Sequence, residues 1–274
     1  MRLSVILFLC SCLFLVGCVT KAVQTEALLT QPLKIPKSSK INNVPFIDQA
    51  VGHCGPATLT MAMQWAGLPV DVNQIAPQVY TLGAKGSFQS DMIGASRRQG
   101  LMAIPISSLS SLLTEVAAGH PVIVFENLAV SWLPQWHYAL VHGYDLQKQV
   151  IIMHSGPDAN YHWDLSKFER SWMLGDYWGL VVLPAGELAA TGNELAHVTA
   201  AVGLEKAQKN AEAEKSYRKI LQKWPTSLVA LIGLGNLVFQ KGQRSEAVQL
   251  LRQATKAHPQ SKAAWHNLAV AEAN

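Results

Sequence analysis

Pro225 and Pro259 stand 34 residues apart, and so do Ala213 and Ala247, Tyr217 and Leu251, Gly233 and Asn267, and Leu234 and Leu268. A fixed period of this length, carried by Ala, Leu, Lys and Gln at helical spacing, restricts the segment to a stack of two-helix hairpins. One hairpin cannot bury its apolar face alone, so each must be covered by a neighbour or by the rest of the chain. Glu194 to Pro225 reads as a first unit and Leu228 to Pro259 as a second. Lys262 to Asn274 is then the first helix of a third, closing the stack.

This pattern resembles the tetratricopeptide repeat. The weakest match is the first unit, where His197 and Ala201 replace the larger residue and the Gly of the usual first helix. The resemblance implies an all-α array over 194–274 that recruits a protein partner.

The other end of the chain is a targeting segment. "MRLSVILFLCSCLFLVGC" has one Arg, an apolar run of secretory length, then small residues. The run is too short and too close to the N-terminus to be preferred as a spanning helix. Leu15-Val16-Gly17-Cys18 resembles the lipobox of bacterial lipoproteins, which implies cleavage after residue 17 and a lipid on Cys18. The competing reading is an uncleaved anchor with an incidental cysteine. Val19, rather than Asp, after the cysteine resembles the default route to the outer membrane, facing the periplasm. Residues 18–41, polar with lysines and two prolines and no clear period, read as a tether between lipid and domain.

Cleavage would remove Cys10 and Cys12 and consume Cys18, leaving Cys54 as the one free thiol, with no disulfide partner. Loss of Arg2 would leave 21 basic residues against 18 acidic ones. That excess is too small and too dispersed for nucleic acid. No second apolar run is long enough to span a bilayer.

Cys54 opens a helical pattern. Leu59, Ala62, Met63 and Ala66 form one apolar face ending at Gly67, and Pro56 suits a first helical turn. A thiol at such a helix start faces unpaired amides and the positive end of the dipole, which lower its pKa. Gln49, five residues earlier, can donate to an oxyanion. A base must come from a distant segment, and "PQWHYALVHGYD" supplies one: as a strand it sets His137, Ala139 and Val141 on one face. "QVIIMHSG" follows at hairpin distance.

A Gln, "CGPATLTMA" opening a helix, "HYALVHGYD", a hairpin strand and "FERSW" together resemble the papain-like bacteriocin-processing cysteine peptidases. The intervening text fits as helix (86–100), strand (101–106), helix (109–119) and strand (120–125). The resemblance covers residues 42 to about 185 and implies an α+β papain-like domain preceding the helical array. Within that family it resembles a lipoprotein branch with appended tetratricopeptide repeats. It makes Cys54 the nucleophile, His137 its base and Gln49 the oxyanion donor, with acyl transfer to water and no metal or organic cofactor. His53, His142 and His162 stand at no recognised zinc-ligand spacing.

The third member of the triad is where the chain departs. The relatives carry Asp-Pro at the end of the second strand; here the text is His154-Ser155. His154 fits by position and Asp158 by charge, and the sequence leaves both open. The expected function is a membrane-anchored cysteine peptidase acting on a peptide or protein. A catalytically inactive peptide-binding scaffold is the alternative, and a transglutaminase or amidase a third class. With no Walker A loop or transporter segment in the sequence, double-glycine leader cleavage cannot be assumed.

Overall fold

The computed structural model of the chain describes residues 21–49 and 53–273. In chain order the elements are α1 (Val23–Thr30), β1 (Ser38–Lys40), α2 (Cys54–Trp65), α3 (Val72–Val79), β2 (Tyr80–Thr81), β3 (Gly86–Ser87), α4 (Gln89–Arg98), β4 (Met102–Ile106), α5 (Leu109–Ala117), β5 (Val122–Asn127), β6 (Trp136–Asp145), β7 (Val150–Ser155), β8 (Asp158–Asp164), α6 (Leu165–Met173) and β9 (Gly179–Leu183). The repeats contribute α7 (Glu194–Lys206), α8 (Asn210–Lys223), α9 (Leu228–Gln240), α10 (Arg244–Ala257) and α11 (Lys262–Ala273).

The main sheet is antiparallel, in the order β4-β9-β5-β6-β7-β8, with β1 added along part of β6. Strand alternation divides its side chains between two cores. Val122, Val124, Ala139, Val141 and Met153 face α5 and α6, whereas Ile123, Leu140, Leu180 and Val182 face α2, α3 and α4. α2 is covered on more than the one face its periodicity marks, since every residue from Gly55 to Met63 is buried. Gly55 is needed there: a Cβ would come within 2.4 Å of the Ser87 hydroxyl. Thr58 and Thr60 satisfy their hydroxyls on the Tyr138 and Pro56 carbonyls at 3.2 and 2.8 Å. These bonds let polar residues share a helix that is buried all round. Gly67, at φ +86°, ends the segment.

The stretch read as a tether is, over residues 21–41, part of the fold. Glu169 on α6 accepts the Gln24 and Thr25 amides at 2.8 and 2.6 Å, fixing the start of α1. The Gln24 side chain in turn accepts the Leu109 amide of α5 at 2.7 Å. Thr25 and Leu28 are buried, and β1 pairs with β6 from Ser38↔Asp145 to Lys40↔Gly143. Composition missed this because three buried side chains, Ala22, Thr25 and Leu28, and a row of long-range main-chain bonds hold the segment, and neither leaves a local period. The proposed lipidation site, Cys18, and the rest of the signal lie outside the described residues.

The repeats dock on the sheet domain. Val198, Ala200, Ala201 and Leu204 of α7 join the core that holds Met102 and Leu183. Burying side chains of this size is worth ~1.5–3 kcal/mol each for the larger ones. The connecting segment is clasped by Glu115 on α5, which accepts Thr191 N at 2.7 Å, Thr191 Oγ1 at 2.6 Å and Ala190 N at 3.1 Å. His197 explains the irregular first repeat. Its Nδ1 meets the Asn193 carbonyl at 2.7 Å and its Nε2 accepts the Ala189 amide at 3.0 Å, so it ties the connection to α7.

Candidate active site

Cys54 is the first residue of α2 and is half-buried. The nearby backbone amides of Tyr138, Gly55 and Cys54 itself act to lower its pKa. These donors favour a thiolate, as expected at a helix start, but burial outweighs them and pushes the thiol pKa up. The sequence-based expectation of a lowered pKa does not describe the resting site. α2 begins against the sheet, where desolvation dominates.

His137, the second residue of β6, lines the same cavity as Cys54 and Gln49. Burial holds its pKa down at about 4. At neutral pH the resting pair is therefore a thiol and a neutral imidazole. Nε2 of His137 lies 3.0 Å from the Ser155 hydroxyl, and Nδ1 has no hydrogen-bond partner among the described residues. An imidazole fixed through one nitrogen presents the other as a base.

The side chain that bonds His137 is thus Ser155, and neither His154 nor Asp158 does so. Register gives the reason. Leu140 pairs with His154, so His154 shares the Leu140 face, and Ser155 falls on the face of Ala139 and His137. His154 is buried elsewhere: its Nε2 lies 3.3 Å from the Val44 carbonyl, its Nδ1 accepts the Asn160 amide at 3.2 Å, and its ring packs 4.3 Å from that of His142. Asp158 lines the cavity but is exposed, and the bond to His137 is made by Ser155. Alternation counted from the hairpin turn would put His154 on the His137 face; the β-bulge between Val141 and Gly143 shifts the register by one and brings Ser155 there instead.

Gln49 is buried and held on both sides. Its Oε1 accepts the Gly156 amide at 3.3 Å, and its Nε2 donates to Thr58 Oγ1 at 3.1 Å. A second N–H on the same nitrogen remains to meet a developing oxyanion. The cavity has a volume of about 990 Å³. Phe88, Phe125, Trp136, Tyr138, Tyr161 and Trp163 give it an aromatic lining. Phe125 stacks on Trp136 with centroids 5.0 Å apart. That surface suits apolar side chains, and Gln49, His137 and Ser155 are among the polar groups set into it, with Lys85, Gln89, Gln135 and Asp158.

Residues 41–176 match the model of the Peptidase_C39 like family, and residues 204–271 match a tetratricopeptide repeat model. The fold is accordingly a mixed α/β C39-peptidase-like domain followed by an all-helical repeat region. Similar solved structures include a C39-like peptidase from Bacillus anthracis, at 17% identity and TM-score 0.47, covering 53% of this chain and 97% of that one. A second is a double glycine motif protease from an AMS/PCAT transporter in complex with the leader peptide, at 19% identity and TM-score 0.41, covering 53% and 93%. A third is the peptidase domain of Streptococcus ComA, a bi-functional ABC transporter involved in a quorum sensing pathway, at 22% identity and TM-score 0.41, covering 52% and 96%. Comparison with curated proteins gives no match.

Proposed function

We propose that this chain is a cysteine peptidase of the bacterial cell envelope, anchored through a lipid on Cys18 and probing peptide or protein substrates with its aromatic cavity. The observation that carries the reading is the shared cavity of Cys54, His137 and Gln49, with His137 fixed through Nε2 and its Nδ1 without a partner among the described residues. His137 takes the Cys54 proton as general base, and the thiolate attacks the peptide carbonyl. Gln49 Nε2 and the Cys54 amide stabilise the oxyanion, the imidazolium returns its proton to the leaving amine, and water releases the acyl enzyme. Because the resting pair is neutral, proton transfer accompanies attack instead of preceding it. The repeats serve to recruit a protein partner or substrate to the cavity, and the outer membrane is the location the signal favours.

A second reading has its own support. The raised thiol pKa and the hydroxyl at the third position also suit a peptide-binding module without turnover. The two separate on treating the mature protein with a peptidyl electrophile and mapping the adduct by mass. Selective labelling of Cys54 that His137→Ala abolishes, together with hydrolysis of a peptide library, supports the peptidase. Saturable peptide binding with neither labelling nor hydrolysis establishes the binding module.

A further inference from the structure

Three carboxylates of the sheet domain are sealed from solvent: Glu115, Glu126 and Glu169. Glu115 and Glu169 are each held by several hydrogen bonds. Glu126, on β5, has neither carboxyl oxygen partnered among the described residues. The Ser171 hydroxyl of α6 lies under the same strand but donates to the Asn127 carbonyl at 2.8 Å. A buried carboxyl without a partner is costly to keep, and in native proteins such a group calls for a reason.

Its place in the sheet supplies one. Glu126 is the register partner of His137 in the antiparallel β5–β6 pair. Directly paired residues point to the same face, with Cβ atoms about 5 Å apart. Ser155 approaches the same histidine from β7, on its other flank. His137 is therefore flanked by a hydroxyl that bonds it and a carboxyl that does not.

We propose that Glu126 is a positioning residue for the Cys54–His137 reaction, supplying the negative charge that stabilises the His137 imidazolium while Ser155 fixes the ring. A triad carboxylate ordinarily performs both tasks; here they fall to two side chains on two strands. The inference rests on the cysteine-peptidase reading of the site. In the step concerned the Cys54 S–H bond breaks, its proton moves to His137 Nδ1, and the same proton later leaves with the amine. Glu126 exchanges no proton within the cycle.

Burial pushes the Glu126 pKa up to about 8; the Ser171 hydroxyl is near enough to oppose this slightly, although its hydrogen bond goes to the Asn127 carbonyl. Its charge, and the help it gives, therefore grows as pH rises through about 8, with the proton lost to solvent beforehand. The groups facing it from the surrounding elements are few. β6 brings His137, α6 brings Ser171, and Glu169 on α6 is turned to the backbone of α1. On α5, Glu115 is committed to His120 and the clasped connection; β9 meets β5 through Gly179, Leu180 and Val181; α2 presents Cys54 at the cavity.

Alkylation of Cys54 by iodoacetamide, followed by mass spectrometry between pH 6 and 10, tests this on the purified chain without a substrate. Glu126→Gln keeps the shape and removes the charge. It should match the wild type below about pH 7 and react about tenfold more slowly above pH 8, with a melting temperature unchanged or raised. In a His137→Ala background the difference should vanish. Superimposable profiles for wild type and Glu126→Gln overturn the assignment, and so does a difference that survives His137→Ala. Should Glu126→Gln fold poorly, the ¹⁵N shifts of the His137 ring in the wild type must show an inflection near pH 8, and a flat response there overturns it equally. Peptide hydrolysis is scored separately. If hydrolysis is absent but the Glu126-dependent profile stands, the peptidase reading fails while the influence of Glu126 on the Cys54–His137 pair is upheld by itself.

Discussion

At the seam between sheet and repeats, Glu115 is sealed from solvent and takes hydrogen bonds from His120 Nδ1, Ala190 N, Thr191 N and Thr191 Oγ1. Beneath the candidate site, Glu126 is sealed as fully and takes none among the described residues. The consequences for the proton run in opposite directions. Burial pushes the Glu115 carboxyl up, but the bonds from His120, Thr191 and Ala190 outweigh it and leave the pKa below its usual value. At Glu126 burial has almost nothing to oppose it, and the pKa rises to about 8. A saturated buried carboxylate fastens two pieces of chain together. An unsaturated one is a reserve of charge, and it sits where a reaction would generate a cation.

The largest effect that bears on this contrast is at the site itself. Cys54→Ser should reduce peptide hydrolysis at least about a thousandfold while leaving the circular dichroism and melting temperature near those of the wild type. Residual turnover close to wild type would place the chemistry elsewhere and remove the meaning given to Glu126.

Breaking the clasp comes next. Glu115→Ala leaves the Ala190 and Thr191 donors unpaired in the interior, and should cost about 3 kcal/mol in urea unfolding. Because the folded pKa of Glu115 is depressed, its contribution is present above the unfolded value of about 4.3 and is lost as pH falls below it. A loss below about 0.5 kcal/mol, or one that persists unchanged at pH 3, would show that the clasp does not fasten the repeats.

Glu126 predicts the reverse slope. Its folded pKa lies above the unfolded one, so its contribution is full below about pH 4.3 and is lost as pH rises toward 8. Glu126→Gln should flatten the fall in stability between about pH 5 and 8, gaining on the order of 1–3 kcal/mol at pH 8. Parallel stability–pH curves for the two proteins would mean that the carboxyl finds a partner in solution.

The smallest effect is at Ser155. Ser155→Ala removes one neutral hydrogen bond to His137, worth about 1 kcal/mol, and should lower kcat/KM by only about five- to tenfold with little change in the pH profile. A loss as large as that of His137→Ala would return the whole third-member role to β7.

The same contrast separates what the sequence could disclose from what it could not. The hairpins of α7 to α11 were legible because a 34-residue period is written locally, and the Cys54 and His137 segments because a helix start and a strand each leave a short pattern. Ser155 was one residue from the position inferred from a family pattern, and only the Leu140↔His154 register corrects it. Glu126 falls just beyond the strand read over 120–125 and was given no role. Its role depends on which residue of β6 lies opposite, a pairing that the loop between β5 and β6 leaves undetermined until the sheet is built. α1 and β1 were missed for the same reason: Glu169 and β6 hold them from more than a hundred residues away.

The docked first helix also changes what an anchor on Cys18 would do mechanically. A free run to residue 41 would be a slack rope, but with Val23 already in α1 only five peptide units separate it from Cys18, a reach of at most ~18 Å. A pull along the lipid would arrive with little damping at the two amides gripped by Glu169. From α6 it would pass to β5, the strand that carries Glu126 beside His137. So anchored, the sheet domain would ride close to a membrane, its cavity aimed by the bearing of α1 rather than swept through a wide volume.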